Sequence, residues 1–167
     1  PGETESLARL MQSIGRRYVA LFNHRHARRG TLWDGRFRNS ILDSRSLLLA
    51  ATLHIETLPV RAGLVADAPE WPWSSAGHHV GRRRDPLLTD HALYWRLGNT
   101  PFDREQAHTR ALHESQQGAE GMRFGEAVAK AVALGPPGFV HRMAESLGRP
   151  LAARPRGRPP RRLGDKT

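Results

Sequence analysis

His54 and Leu58 stand four residues apart just before Pro59. On a helix that spacing puts both side chains on one face. A neutral imidazole is a nucleophile, and attack on phosphorus by His54 would leave a phosphohistidine. That chemistry also needs a group to polarise the electrophile, and Leu58 offers only an alkyl chain. His24 and His26 have the His-x-His spacing that lets two imidazoles share a metal when it falls on a strand. Here Arg25 stands between them and the segment prolongs a helix, which turns the rings about 200° apart. A basic helix end is the simpler reading. His78 and His79 have no spacer at all. Tyr18 lies at the edge of a helical stripe and suits packing, while Ser74 and Ser75 lack a motif that would place a general base beside them. No resident metal or cofactor is expected from these residues.

The stronger chemical signal is arginine. The 167 residues carry a formal net charge of +10 with a pI near 11.4, which points to a polyanion and most simply to nucleic acid. Guanidinium groups suit bidentate contacts with phosphate and guanine. Arg36 and Arg38 would share a strand face fit for a DNA phosphate, with a plain solvated face as the alternative. Near the end of the chain, Pro155-Arg156-Gly157-Arg158-Pro159 resembles the core of an AT-hook. An extended Arg-Gly-Arg can lie in a narrow A·T minor groove, where the glycine permits close approach and the two guanidiniums meet negative potential. Nonspecific phosphate attraction by Arg156 and Arg158 is the rival reading. With no cysteine there is neither a disulfide framework nor a thiolate nucleophile. No apolar run approaches the ~18 residues of a membrane span, so no membrane partner and a cytoplasmic location are expected.

The elements that must position these residues are mostly helical. Glu5 to Phe22 is amphipathic, with Leu7, Leu10, Met11, Ile14, Leu21 and Phe22 on a stripe expected to be core and Arg9, Arg16 and Arg17 towards the other side. Thr31 to Leu42 is expected as the one clear strand. A helix from Ser44, capped by Asp43 or Ser44, carries Leu48, Ala51, Ile55 and Leu58 and should stop before Pro59, with Gly63 free to take positive φ. Trp71 and Trp73 are expected to close the core over the following turn. Further helices are expected over Leu87 to Leu97, Asp103 to Gln117, Gly125 to Leu134 and Phe139 to Leu147. Arg149 to Thr167 is rich in proline and arginine and is expected to be disordered alone.

The stretch from His54 to Val65 resembles the signature of the single-tyrosine HUH transposases, in the branch of REP-associated tyrosine transposases. That signature reads approximately Tyr-Ile-Glu-Leu-Asn-Pro-Val-Arg-Ala-Gly-Leu-Val. The match holds at Ile55, Glu56 and Pro59 to Val65, with His54 at the tyrosine position and Leu58 at the asparagine position. Trp33, Gly35, Arg36 and Phe37 resemble the family's Trp-acidic-Gly-Arg-aromatic element, and Trp73-Ser74-Ser75 its Trp-Ser-Ser segment. Matches in the family's order run from about Leu7 to Gly98.

The resemblance implies an α+β fold, a truncated relative of the ferredoxin-like HUH transposase fold. It is expected here to be mainly helical, with one or two short strands and a disordered tail. Residues 1–80 would be the C-terminal part of a transposase-like core, 81–148 a helical extension and 149–167 the tail. Opening on Pro1-Gly2, the chain reads as part of a longer one whose upstream strand would carry the paired histidines. Family members cut and rejoin one DNA strand at hairpin or palindromic ends through a 5′-phosphotyrosine, using Mg²⁺ or Mn²⁺ and often acting as dimers. Here the resemblance implies DNA binding without strand transfer, through Arg16, Arg17, Arg36, Arg38, Arg61, Arg156 and Arg158. Two rivals are an active transposase once the upstream strand is present, and a remnant that binds polyanions nonspecifically.

Overall fold

The computed structural model describes residues 6–117 and 121–152. It divides into two compact units, Pro1–Arg38 and Asn39–Thr167. Among the described residues there are seven α-helices and one 3-10 turn, and no sheet. The one β contact is an isolated parallel bridge between Leu42 and Leu134. This overturns the α+β, ferredoxin-like expectation. It also overturns the strand expected over Thr31 to Leu42. The apolar residues of that segment, Leu32, Trp33, Phe37 and Ile41, do not alternate, and no neighbouring segment pairs with its backbone to form a ladder. Local bonds take over instead: Thr31 Oγ1 accepts from Trp33 N at 3.1 Å.

The first unit holds α1 (Ser6–Arg25) and the loop that follows. Asn23 Nδ2 donates to Gly30 O at 2.8 Å, which turns the loop back. Gly30 takes φ 94° there, a value open to glycine. Trp33 comes to lie 5.7 Å from Tyr18, ring to ring, and beside Gly15. No residue of α1 is buried, which corrects the expectation that its apolar stripe is core. Leu7, Leu10, Ile14 and Leu21 are all exposed.

The second unit is built on α2 (Ser44–Arg61). Asp43 caps it, accepting from Arg45 N at 3.3 Å and Ser46 Oγ at 2.7 Å. The helix does not stop before Pro59; it carries the proline inside and runs on to Arg61. Pro59 has no N–H to give, but its carbonyl accepts from Leu64 N at 2.9 Å while Gly63 N bonds Val60 O at 2.9 Å. Those two bonds, with Gly63 at φ 69°, make a Schellman cap that closes the helix one turn later than expected. The phase of the buried face also differs. Ile55 and Leu58 are exposed, and the covered positions are Ala51, Leu53, Glu56, Thr57 and Pro59.

A 3-10 turn (Ala68–Glu70), α3 (Ala76–His79), α4 (Ala92–Trp95) and α5 (Pro101–Gln117) gather on that face, with α5 the main partner of α2. Leu53, Ala68, Ala76 and Leu112 form the core, with Leu49, Val60, Val80 and Ala111 packed against it. Ala68 and Ala76 are fully buried, and their small side chains let the turn and α3 lie close on α2. Trp73 is 84% exposed, so it does not close the core as expected. Helices α6 (Met122–Lys130) and α7 (Pro137–Ser146) complete the unit. Leu134 N donates to Ile41 O at 2.7 Å and Ala133 N to Leu151 O at 2.9 Å, and the Leu151 side chain is buried. Most of the proline- and arginine-rich tail lies outside the described residues. No described helix is long and apolar enough to cross a membrane.

Candidate functional site

Leu49, Leu53, Glu56 and Val60 follow one another on α2 at steps of four, three and four, so the Glu56 carboxylate stands in the row that faces the core. It is fully buried. Three elements bring donors to it. Ser75, at the start of α3, turns its hydroxyl away from the helix end and donates to Glu56 Oε1 at 2.5 Å. Ser74 takes over near the helix end, its Oγ accepting from Ala76 N at 3.2 Å. His79, one helical turn after Ser75, presents Nδ1 to the same Oε1 at 2.6 Å. His108 of α5, one turn before the core residue Leu112, presents Nε2 to Oε2 at 2.7 Å. An ionised carboxylate only accepts, so both ring nitrogens facing it carry their protons.

Burial is the largest single influence on Glu56 and raises its pKa. The hydrogen bonds from His108 and His79, the His108 charge and the Ser75 hydroxyl together outweigh it and bring the value from 4.5 to about 2. Glu56 is therefore a carboxylate at neutral pH. Around it, Tyr94 Oη donates to His79 O at 2.9 Å, and the His79 and His108 rings lie 4.7 Å apart. Asp90 Oδ1 is 3.7 Å from His79 Nε2 and 3.3 Å from His78 Nε2. His78 Nδ1 accepts from Asp85 N at 3.1 Å, which leaves its proton on Nε2, towards Asp90.

His54 stands two positions before Glu56, which turns it about 200° around α2. It meets α6 instead. Its ring lies 5.5 Å from that of Phe124, and Gly121 is so near that a side-chain carbon there would collide with His54 Nδ1. Burial first, and the Arg61 guanidinium second, lower the His54 pKa and favour the neutral ring. Leu58 is 45% exposed. A cation beside His54 would face the positive charge of Arg61 and find no oxygen donor at Leu58.

The arginines expected to meet DNA fall into three places. Arg16 and Arg17 are exposed on α1, and Arg36 and Arg38 are exposed on the loop after it, not on a strand as expected. Arg61 belongs to the second unit, where its guanidinium donates to Ser115 O at 2.6 Å and ties the end of α2 to α5. Arg156 and Arg158 lie outside the described residues. His24 and His26 sit at the exposed end of α1, where the His26 ring stacks 4.3 Å from Phe22.

Among the described residues one group of three has metal-ligand chemistry: Glu56, His79 and His108. Sequence reasoning does not assemble it. Its ligands are scattered over three helices, and the adjacent His78-His79 pair carries no spacing signal. One sign was available, a glutamate on the apolar row of α2. Compared with known proteins, the chain matches no family model, no curated protein and no solved structure.

Proposed function

We propose that this chain is a DNA-binding protein of the REP-associated tyrosine transposase type, acting in the cytoplasm on single-stranded or hairpin palindromic DNA without strand transfer. The observation that carries the reading is the arginine surface. The formal net charge is +10, and Arg16, Arg17, Arg36 and Arg38 stand exposed within one short unit. Such a surface follows a phosphate backbone and supplies affinity that falls with salt. Two further points support the reading. The Ser75–Glu56 hydrogen bond joins the two segments on which the family resemblance chiefly rests, giving a physical reason for both to occur together. At position 54 the imidazole lies against Phe124, next to Arg61 and to Leu58, which has no oxygen donor to hold a metal beside an attacking group.

Fluorescence anisotropy tests the reading directly. A labelled DNA hairpin and an unstructured strand of equal length are titrated with protein at two salt concentrations. Tighter, salt-dependent binding to the hairpin is expected. Equal weak binding to both strands overturns recognition of hairpin ends. A protein–DNA adduct that survives denaturing electrophoresis after incubation with Mg²⁺ or Mn²⁺ overturns the absence of strand transfer.

A further inference from the structure

We propose that Glu56, His79 and His108 bind one transition-metal dication of the zinc class, at a site on the side of α2 opposite His54. This does not depend on the DNA-binding reading.

The donor set is two imidazoles and one carboxylate, which suits Zn²⁺, Co²⁺ or Ni²⁺. Mg²⁺ favours a shell of oxygen ligands and retained water, whereas two of the three donors here are imidazole nitrogens. The ligand atoms already lie within 4.8 Å of one another. The carboxylate oxygens are 2.6 Å from His79 Nδ1 and 2.7 Å from His108 Nε2, hydrogen-bond distances held by the two ring protons. Metal bonds of about 2.0–2.1 Å at a tetrahedral centre set N and O ligands about 3.3 Å apart. The ion therefore takes the place of the two ring protons: a neutral ring carries its proton on the other nitrogen once the metal is bound, and a charged ring gives one up to solvent. Each pair needs to open by about 0.6–0.7 Å, a shift within reach of side-chain rotation.

Three features favour an ion here over a purely internal network. The three ligands come from three different helices, α2, α3 and α5, and converge on one point. Glu56 is 0% and His108 1% exposed, so the point where the ligands meet is shielded from solvent. His79 Nε2 faces Asp90 Oδ1 at 3.7 Å. A carboxylate behind a ligating imidazole orients the ring and strengthens it as a ligand. Three protein ligands leave the fourth position to water. A groove bounded by His78, Asp90, Tyr94 and Glu105 runs alongside, and both Asp90 and Tyr94 neighbour His79.

The test uses the full chain stripped with chelator and titrated with Co²⁺ alone. Expected are one equivalent bound and the visible bands of a four-coordinate Co²⁺ centre. His79→Gln and His108→Gln should each weaken binding more than about 100-fold, beyond what the loss of an outer partner costs. His54→Gln and His24→Gln should leave it unchanged. Circular dichroism checks that each variant is folded. A second measurement needs no variant: with Zn²⁺, the ring-nitrogen NMR signals of His79 and His108 should shift while that of His24 stays. No Co²⁺ uptake by the folded chain, or uptake that survives in His79→Gln and His108→Gln, overturns the proposal. So does a Zn²⁺ titration that leaves the signals of His79 and His108 in place.

Discussion

Replacing Glu56 with glutamine in the metal-free protein removes the charge while keeping the shape, and its effect can be worked out in advance. The carboxylate is held at a pKa of about 2 against an ordinary 4.5, and that displacement of about 2.5 corresponds to about 3 kcal/mol. A depressed folded-state pKa contributes stability that is present above pH 4.5 and lost as pH falls towards 2. The wild-type chain should therefore be more stable than Glu56→Gln by about 3 kcal/mol at pH 6, a large share of the roughly 5–15 kcal/mol typical of a domain. That gap should narrow to about half by pH 3 and nearly close at pH 2. Urea unfolding followed by circular dichroism at each pH measures it, and at slopes of about 1–3 kcal/mol per molar the midpoint should differ by roughly 1–3 M at pH 6. Glutamine's amide can also donate to one imidazole nitrogen if that ring moves its proton, so the loss should fall short of unfolding. Glu56→Ala is harsher, because it strands the donors of Ser75, His79 and His108 at about 1–3 kcal/mol each, and the second unit should not hold together. A difference between wild type and Glu56→Gln that stays constant from pH 6 to pH 2 would refute the reasoning.

Other substitutions probe the opposite face of α2 and the tail. Gly121→Ala places a carbon against His54 Nδ1 and should cost about 1–3 kcal/mol in thermal or urea unfolding. Gly125→Ala, on the same helix with nothing within 4 Å of the new carbon, should gain up to about 1 kcal/mol. His54→Tyr should yield no covalent adduct with hairpin DNA and Mg²⁺ on a denaturing gel, since Leu58 still provides no ligand and α6 still covers the position. Deleting residues from 153 onward, which spares the buried Leu151, should weaken DNA binding and flatten its salt dependence. The log–log slope should fall by roughly 0.7–0.9 for each phosphate that the tail neutralises. Unchanged anisotropy at moderate salt would remove the tail from the binding surface.

Helix α5 was expected as a polar helix with few core positions, while α2 was legible from helical spacing and its cap from the side chains at Asp43 and Ser44. The end of α2 was not, because the prohibition at proline concerns the donor it lacks, and Gly63 supplies an alternative closure that the rule for the preceding residue does not foresee. The buried phase of α2 was misread for a related reason. Ile55 and Leu58 looked like core by type, yet the row that is covered runs through Glu56. Type-based reading discards a glutamate from a core, and only the arrival of Ser75, His79 and His108 from elsewhere makes its burial tolerable. Thr31 to Leu42 failed as a strand because β structure is a property of pairs, and the sequence of one segment says nothing of its partner.

The buried cluster also answers a question the apolar core leaves open. Leu53, Ala68, Ala76 and Leu112 include two alanines, whose single methyl groups give α3 and the turn before it little to interlock against sliding on α2. A carboxylate that takes one bond from each end of α3 and one from α5 does not tolerate such sliding, since a shift of an ångström strands a buried charge. Register in this unit is thus set by polar geometry, and depth by apolar burial. The same argument separates the two faces of α2. Glu56 is held on both oxygens by three donors from two other helices. His54, on the other side, rests on a single ring and a guanidinium and has an unpartnered buried nitrogen. Substitutions at 54 should therefore be absorbed locally by α6, and substitutions at 56 should be felt by every element of the core.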